Sequence, residues 1–169
     1  MIKQWLFALS RITIASLAFY LGNLSTVDPV QISGNGNPAL LFIPILLLLA
    51  LFIMNDWIKV MKFFNSNSRI LLPLLFIIGI ALFFIYEQQV DNYHERKEYV
   101  QQVVIEREYK ITDPLFLERV TGITYTYMSN QLFNLNTFVI YILLTLAMAI
   151  MYVLWTRRRS PISSPSSSK

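Results

Sequence analysis

His94 and Glu95 adjoin in the stretch NYHERKEY (92–99). An imidazole beside a carboxylate is raw material for zinc binding or general-base chemistry. A zinc helix of the H-E-x-x-H type needs a second histidine at position 98, and that position holds Glu98. His94 is the one histidine and cysteine is absent, which excludes disulfides, thiolate sites, cysteine nucleophiles and multi-histidine centres within one chain. The aspartates fare no better as a catalytic pair. Asp28 and Asp113 each precede a proline in a loop, Asp91 lies on a polar run, and Asp56 stands at the end of an apolar segment. The glycines and asparagines of SGNGNP (33–38) have no lysine and no following amphipathic helix, so they do not make a phosphate loop. Serines are plentiful, but none has a local base. No catalytic, cofactor-binding or metal-ligating residue is expected, and the chain reads as non-enzymatic.

Arg11 is the other chemically loaded residue, because it interrupts the apolar stretch WLFALSRITIASLAFYLGN (5–23). On a helical wheel, Gln4, Ala8, Arg11, Ala15, Ala18 and Gly22 fall within an arc of about 80°, with no large apolar side chain among them. Ile14, Leu17, Leu21 and Leu24 cluster elsewhere. Small residues at this 3–4 spacing let two helix backbones approach closely in lipid. Arg11 therefore belongs to a packing or partner face. It either snorkels to the near interface, about 9 Å from its Cα at ~1.5 Å per residue, or meets an acid. The candidate acid is Asp56, the one carboxylate on the same side of the membrane under the topology below.

These residues need elements to hold them, and the elements are membrane helices. Residues 38–54, 70–86 and 138–155 carry no charge. Each is about the length that crosses ~30 Å of hydrocarbon as a helix, the fold in which a lone segment satisfies its own backbone there. With residues 5–24 they make four spans, the last drawn as 137–156, and the fold class is an all-α integral membrane protein. The charged start and the 12–21 apolar run would also suit a signal peptide, but the cleavage pattern is weak and an uncleaved span is expected. Pro44 predicts a kink in the second span. Tyr141, Thr145, Ala149 and Tyr152 make a polar-tinged seam on the fourth.

Charge sorts the loops. Lys3, Arg11, Lys59, Lys62, Arg69, Arg157, Arg158, Arg159 and Lys169 fall on one side, with Asp56 as that side's single acid. The other side has five basic residues against nine acidic ones. The positive-inside rule then puts both termini in the cytoplasm and residues 87–136 outside, in what composition suggests is a bacterial inner membrane. The basic excess is membrane-retention charge that favours lipid headgroups, and no nucleic-acid partner is expected.

The third span is expected to run on as a helix over 87–111. Tyr86, Val90, Tyr93, Val100 and Val104 form a narrow apolar stripe that requires a partner helix from this chain or another. Glu87, Asp91, Glu95 and Glu98 line a different face. TDPLFLERVTG (112–122) reads as a short helix with Asp113 as N-cap, Pro114 in its first turn and Gly122 at its C-terminus; it either lies on the membrane or folds back on the long helix. ITYTYMSNQLFNLN (123–136) is expected to approach the fourth span along the interface, with Tyr125 and Tyr127 at headgroup level. The basic Ser/Pro-rich tail, 157–169, reads as disordered.

The layout resembles that of pore-forming-colicin immunity proteins in its four spans, inside ends and basic final stop; the likeness is of topology, with no residue motif. The functional expectation is a membrane protein that binds partner membrane proteins, as an accessory or assembly subunit or an immunity or exclusion-type factor. Contact would run through helix 1, helix 4 and the 87–111 helix, or these faces would serve self-association. The alternative is a small oligomeric transporter or channel component, for which Arg11 is the one supporting charge.

Overall fold

The computed structural model describes residues 2–31, 36–63, 67–107 and 113–159. Helix α1 covers Ile2–Leu24 and α2 Phe42–Phe63, after a 3-10 turn over Pro38–Leu41. Helix α3 runs unbroken over Ser68–Arg107, and α4 covers Pro114–Val120. A second 3-10 turn (Thr126–Met128) leads into the single-turn α5 (Ser129–Leu132), and α6 covers Leu135–Arg159. Four helices are long and apolar enough to cross a membrane: Trp5–Leu24, Pro38–Phe63, Arg69–Arg107 and Leu135–Arg158. The chain is an all-α membrane protein.

Several boundaries differ from the sequence reading. Helix α2 runs to Phe63, so Lys59 and Lys62 ride its last turns and not a loop. Pro44 falls in the first turn of α2, where a backbone N–H has no intrahelical acceptor, so it helps start the helix and the expected mid-span kink has no place to form. The described part of α3 ends at Arg107; residues 108–112 lie outside the described residues. Arg157 and Arg158 continue α6 and are not disordered, while 160–169 lie outside the described residues.

Within the membrane the helices stand in a row, α1–α2–α6–α3, each packed on the next. Two cores form along it. One joins Ile58 and Met61 of α2, Leu71 and Ile78 of α3, and Ala147, Ala149, Ile150 and Val153 of α6. The other joins Ala15, Ala18 and Phe19 of α1, Leu46 and Ile53 of α2, and Phe133. Trp57 packs against both. Helix α3, at the end of the row, meets a neighbour on one side and leaves Leu72, Phe76, Ile77, Ile80, Phe83 and Phe84 exposed. In lipid such a face costs nothing, because acyl chains are as apolar as leucine.

Beyond the spans α3 acquires a cap made from this same chain. At ~1.5 Å per residue its 40 residues reach about 60 Å, twice the hydrocarbon thickness. The projecting half buries Val100 and Val104 fully against Val120, Tyr127 and Met128. The outer part of the α3 stripe, Tyr93, Val100 and Val104, thus packs on α4 and the turn after it, while Tyr86 stays exposed. Asp113 caps α4 by accepting from the Leu115 N–H at 3.1 Å, and Pro114 follows at its first position. The C-cap is Thr121 rather than Gly122, with the Gly122 N–H donating to the Arg119 carbonyl.

The expected headgroup position of Tyr127 is corrected here. Its ring is 2 % exposed in the cap core, and its hydroxyl donates to the Gln31 carbonyl at 2.8 Å. Arg107 clamps the strap over 25–31, donating to the Pro29 carbonyl at 2.7 Å and the Gln31 carbonyl at 2.9 Å. An alternating ITYTYM pattern hides a 3-10 turn, which is why a periodic reading misplaces the tyrosine.

Candidate functional site

One charge pair lies within the spans. Helix α1 carries Arg11 on its small-residue stripe, and α2 carries Asp56 on the face toward α1. An Arg11 guanidinium nitrogen (Nη1) donates to Asp56 Oδ2 at 2.6 Å. The same guanidinium lies over the Phe52 ring at 5.1 Å. The Asp56 side chain is 8 % exposed, and Lys59 Nζ stands 3.9 Å from its other oxygen. A charge in a span is costly unless paired, and this pair neutralises both members where α1 and α2 meet.

The structure places Ala8, Ala15, Ala18 and Gly22 of the α1 stripe inside the fold. Gly22 lies against Phe133: a Cβ there would collide with the ring. That ring is held in turn by Phe19 at 5.8 Å and Phe42 at 6.3 Å between centroids. On α6, Tyr141 donates to the Leu46 carbonyl of α2 at 2.8 Å. Thr145 and Ala149 are buried, but the Thr145 hydroxyl satisfies itself on the Ile142 carbonyl of its own helix. Tyr152 departs from this seam and is exposed beside Trp155. Tyr152 apart, the buried members of both seams pack on this chain's own residues. Glu87, Asp91, His94, Glu95 and Glu98 are all exposed, and among the described residues no three His, Asp or Glu side chains gather as metal ligands.

A site that sequence reasoning missed lies where the helices leave the membrane. A cleft of about 630 Å³ is lined by Asn23, Gln88, Asn92, Glu95, Arg96, Tyr99, Asn130, Gln131, Asn134, Leu135 and Asn136. Behind it runs a chain of amides. Gln89 donates to the Gln131 carbonyl at 2.9 Å, and Asn134 Nδ2 donates to Gln89 Oε1 at 2.9 Å. Asn134 also starts α6: its Oδ1 accepts from the Thr137 N–H at 2.9 Å while its own N–H donates to Thr137 Oγ1 at 3.0 Å. This reciprocal cap fixes the cleft wall. Arg96 is anchored by donating to the Tyr127 carbonyl from Nε at 3.2 Å and from Nη2 at 3.1 Å, with Tyr99 stacked 5.2 Å away. Burial pulls the Arg96 pKa below its ordinary value, against the pull of Tyr99 and Asp28, and the group stays cationic. The signal in the sequence is the density of Asn and Gln over 88–92 and 130–136, two segments that only the fold brings together with Asn23 of α1.

A narrower slot of about 220 Å³ adjoins the cleft, sharing Asn23, Asn134 and Leu135 and continuing past Phe19, Tyr20, Phe133 and Phe138 to Ser16. A third concavity, about 730 Å³, lies on the free face of α3 around Gly79, lined by Leu72, Leu75, Phe76, Ile80, Phe83 and Phe84. A Cβ at Gly79 would meet nothing within 4 Å.

No family model, no curated protein and no solved structure matches this chain. What the fold defines is the class: a multi-pass, all-α membrane protein with a helical cap on one end.

Proposed function

We propose that this protein is non-enzymatic and acts by binding another membrane protein through the free face of α3, as an accessory or assembly subunit or an immunity or exclusion-type factor. The observation that carries this reading is the apolar concavity around Gly79, bounded by Phe76, Phe83 and Phe84 on a helix flanked by α6 on one side. The occupant we assign is a transmembrane helix that sets a bulky aliphatic side chain opposite Gly79, since close packing replaces the hydrophobic drive between helices in lipid. The notch on α3 is of that kind, and the small-residue stripe of α1 is already spent on α2 and Phe133. The charge sorting supports an orientation with the α1 start and α6 end in the cytoplasm and the cap outside, and composition supports a bacterial inner membrane as the setting.

The test uses Gly79→Trp in the full chain, isolated by tag from native membranes. An indole at Gly79 meets open space, so the thermal midpoint of the purified protein stays within about 2 °C of wild type, while the co-isolated partner protein is lost. A partner retained at wild-type level on Gly79→Trp overturns the assignment of this face.

A further inference from the structure

The amide cleft and the slot beside it are one amphipathic cavity at the membrane boundary, and we infer that it binds a single zwitterionic phospholipid. The headgroup lies in the cleft, and one acyl chain follows the slot between α1 and α6. The lipid site shares no lining residue with the proposed partner face, which lies lower on α3 around Gly79.

Position comes first. Asn23 is one residue from the end of α1, Leu135 opens α6, and Gln88 stands about 20 residues into α3, one hydrocarbon thickness from its start. The cleft therefore faces headgroups. The slot descends from Asn23 to Ser16, about 10 Å along α1 at ~1.5 Å per residue, and its walls are aromatic. A soluble polar ligand has no use for those walls, and a hydrocarbon has no use for the amides above them.

Charge selects the headgroup. The cleft offers one anion, Glu95, and one cation, Arg96, among neutral amides. A headgroup with an amine and a phosphate matches both: the amine at Glu95, the phosphodiester at Arg96 with amide N–H groups from Asn92 and Asn130. Arg96 is held in place before any ligand arrives, by its two bonds to the Tyr127 carbonyl. An anionic lipid would gain Arg96 but meet Glu95, on the side of the sequence where nine acids face five bases.

The test reconstitutes the full-length protein in nanodiscs holding equal phosphatidylethanolamine and phosphatidylglycerol, then reads retained lipid by native mass spectrometry. Wild type is expected to keep one phosphatidylethanolamine per chain, enriched about fivefold over phosphatidylglycerol, the selectivity one partly exposed charge pair supplies. Glu95→Lys removes or inverts that preference; Glu95→Gln, which keeps the side-chain shape, removes it. Ser16→Trp fills the slot and reduces retention of either lipid. Glycerophosphoethanolamine, which has the headgroup but no tails, fails to displace the bound lipid. Retention at the bulk ratio in wild type, no retained lipid, a ratio unchanged by both Glu95 substitutions, or displacement by the tail-less headgroup would each overturn the inference.

Discussion

Removing Asp56 leaves the Arg11 guanidinium without its carboxylate, and removing Arg11 leaves Asp56 with only the more distant Lys59. Asp56→Ala is expected to cost about 1–3 kcal/mol, since it takes from the half-buried Arg11 guanidinium the carboxylate it donates to. The exchange of Arg11→Asp with Asp56→Arg restores part of the loss, read as the steady-state membrane level of each variant; no recovery in the exchange would contradict the pairing. Gly22→Ala belongs to the same scale. Its Cβ would enter the Phe133 ring, which Phe19 and Phe42 keep from withdrawing, so it lowers stability by about 1–3 kcal/mol as a fall in thermal midpoint in detergent. The two cases differ in legibility. Arg11 and Asp56 stand out as rare charges at the edges of apolar runs, so few partners compete. Gly22 belongs to a visible small-residue stripe, but the ring that needs its missing side chain comes from Phe133, far along the chain and outside every span.

At the scale of elements, the cap depends on α3 outrunning the membrane and on the strap over 25–31 being pinned to it. Tyr127→Phe deletes the bond to the Gln31 carbonyl and the one accepted from Arg107 at 3.2 Å. It is expected to weaken the cap by about 1–2 kcal/mol, seen as faster amide exchange confined to the strap and the cap while α1 and α2 keep their protection. Uniform acceleration across all helices would contradict a separately held cap. The apolar stripe on α3 and the Asp113–Pro114 start of α4 are legible, because each is a local pattern with a local physical reason. Tyr127 is not, because its burial depends on a 3-10 turn whose residues alternate like a surface strand. The amide cleft is not legible either: asparagines read as loop residues until three segments converge.

For the whole molecule, hydropathy counts the crossings, but the row α1–α2–α6–α3 is invisible in it. That order follows from which side chains interlock, such as Tyr141 reaching Leu46 and Ala149 under Ile58 and Met61. The native sequence has no cysteine, so single introduced thiols report sidedness without background. A membrane-impermeant maleimide is expected to label Glu118→Cys in intact cells and Lys62→Cys only after permeabilisation; the opposite pattern would invert the orientation, and labelling of both in intact cells would contradict the four crossings.

The most direct measurement is photo-crosslinking in native membranes, with one probe at Phe83 on the free face of α3 and one at Ala15 in the α1 seam, read by mass spectrometry. The account predicts a single foreign membrane protein joined at Phe83 and intramolecular links to α2 at Ala15. Foreign protein at Ala15, or lipid alone at Phe83, would contradict it.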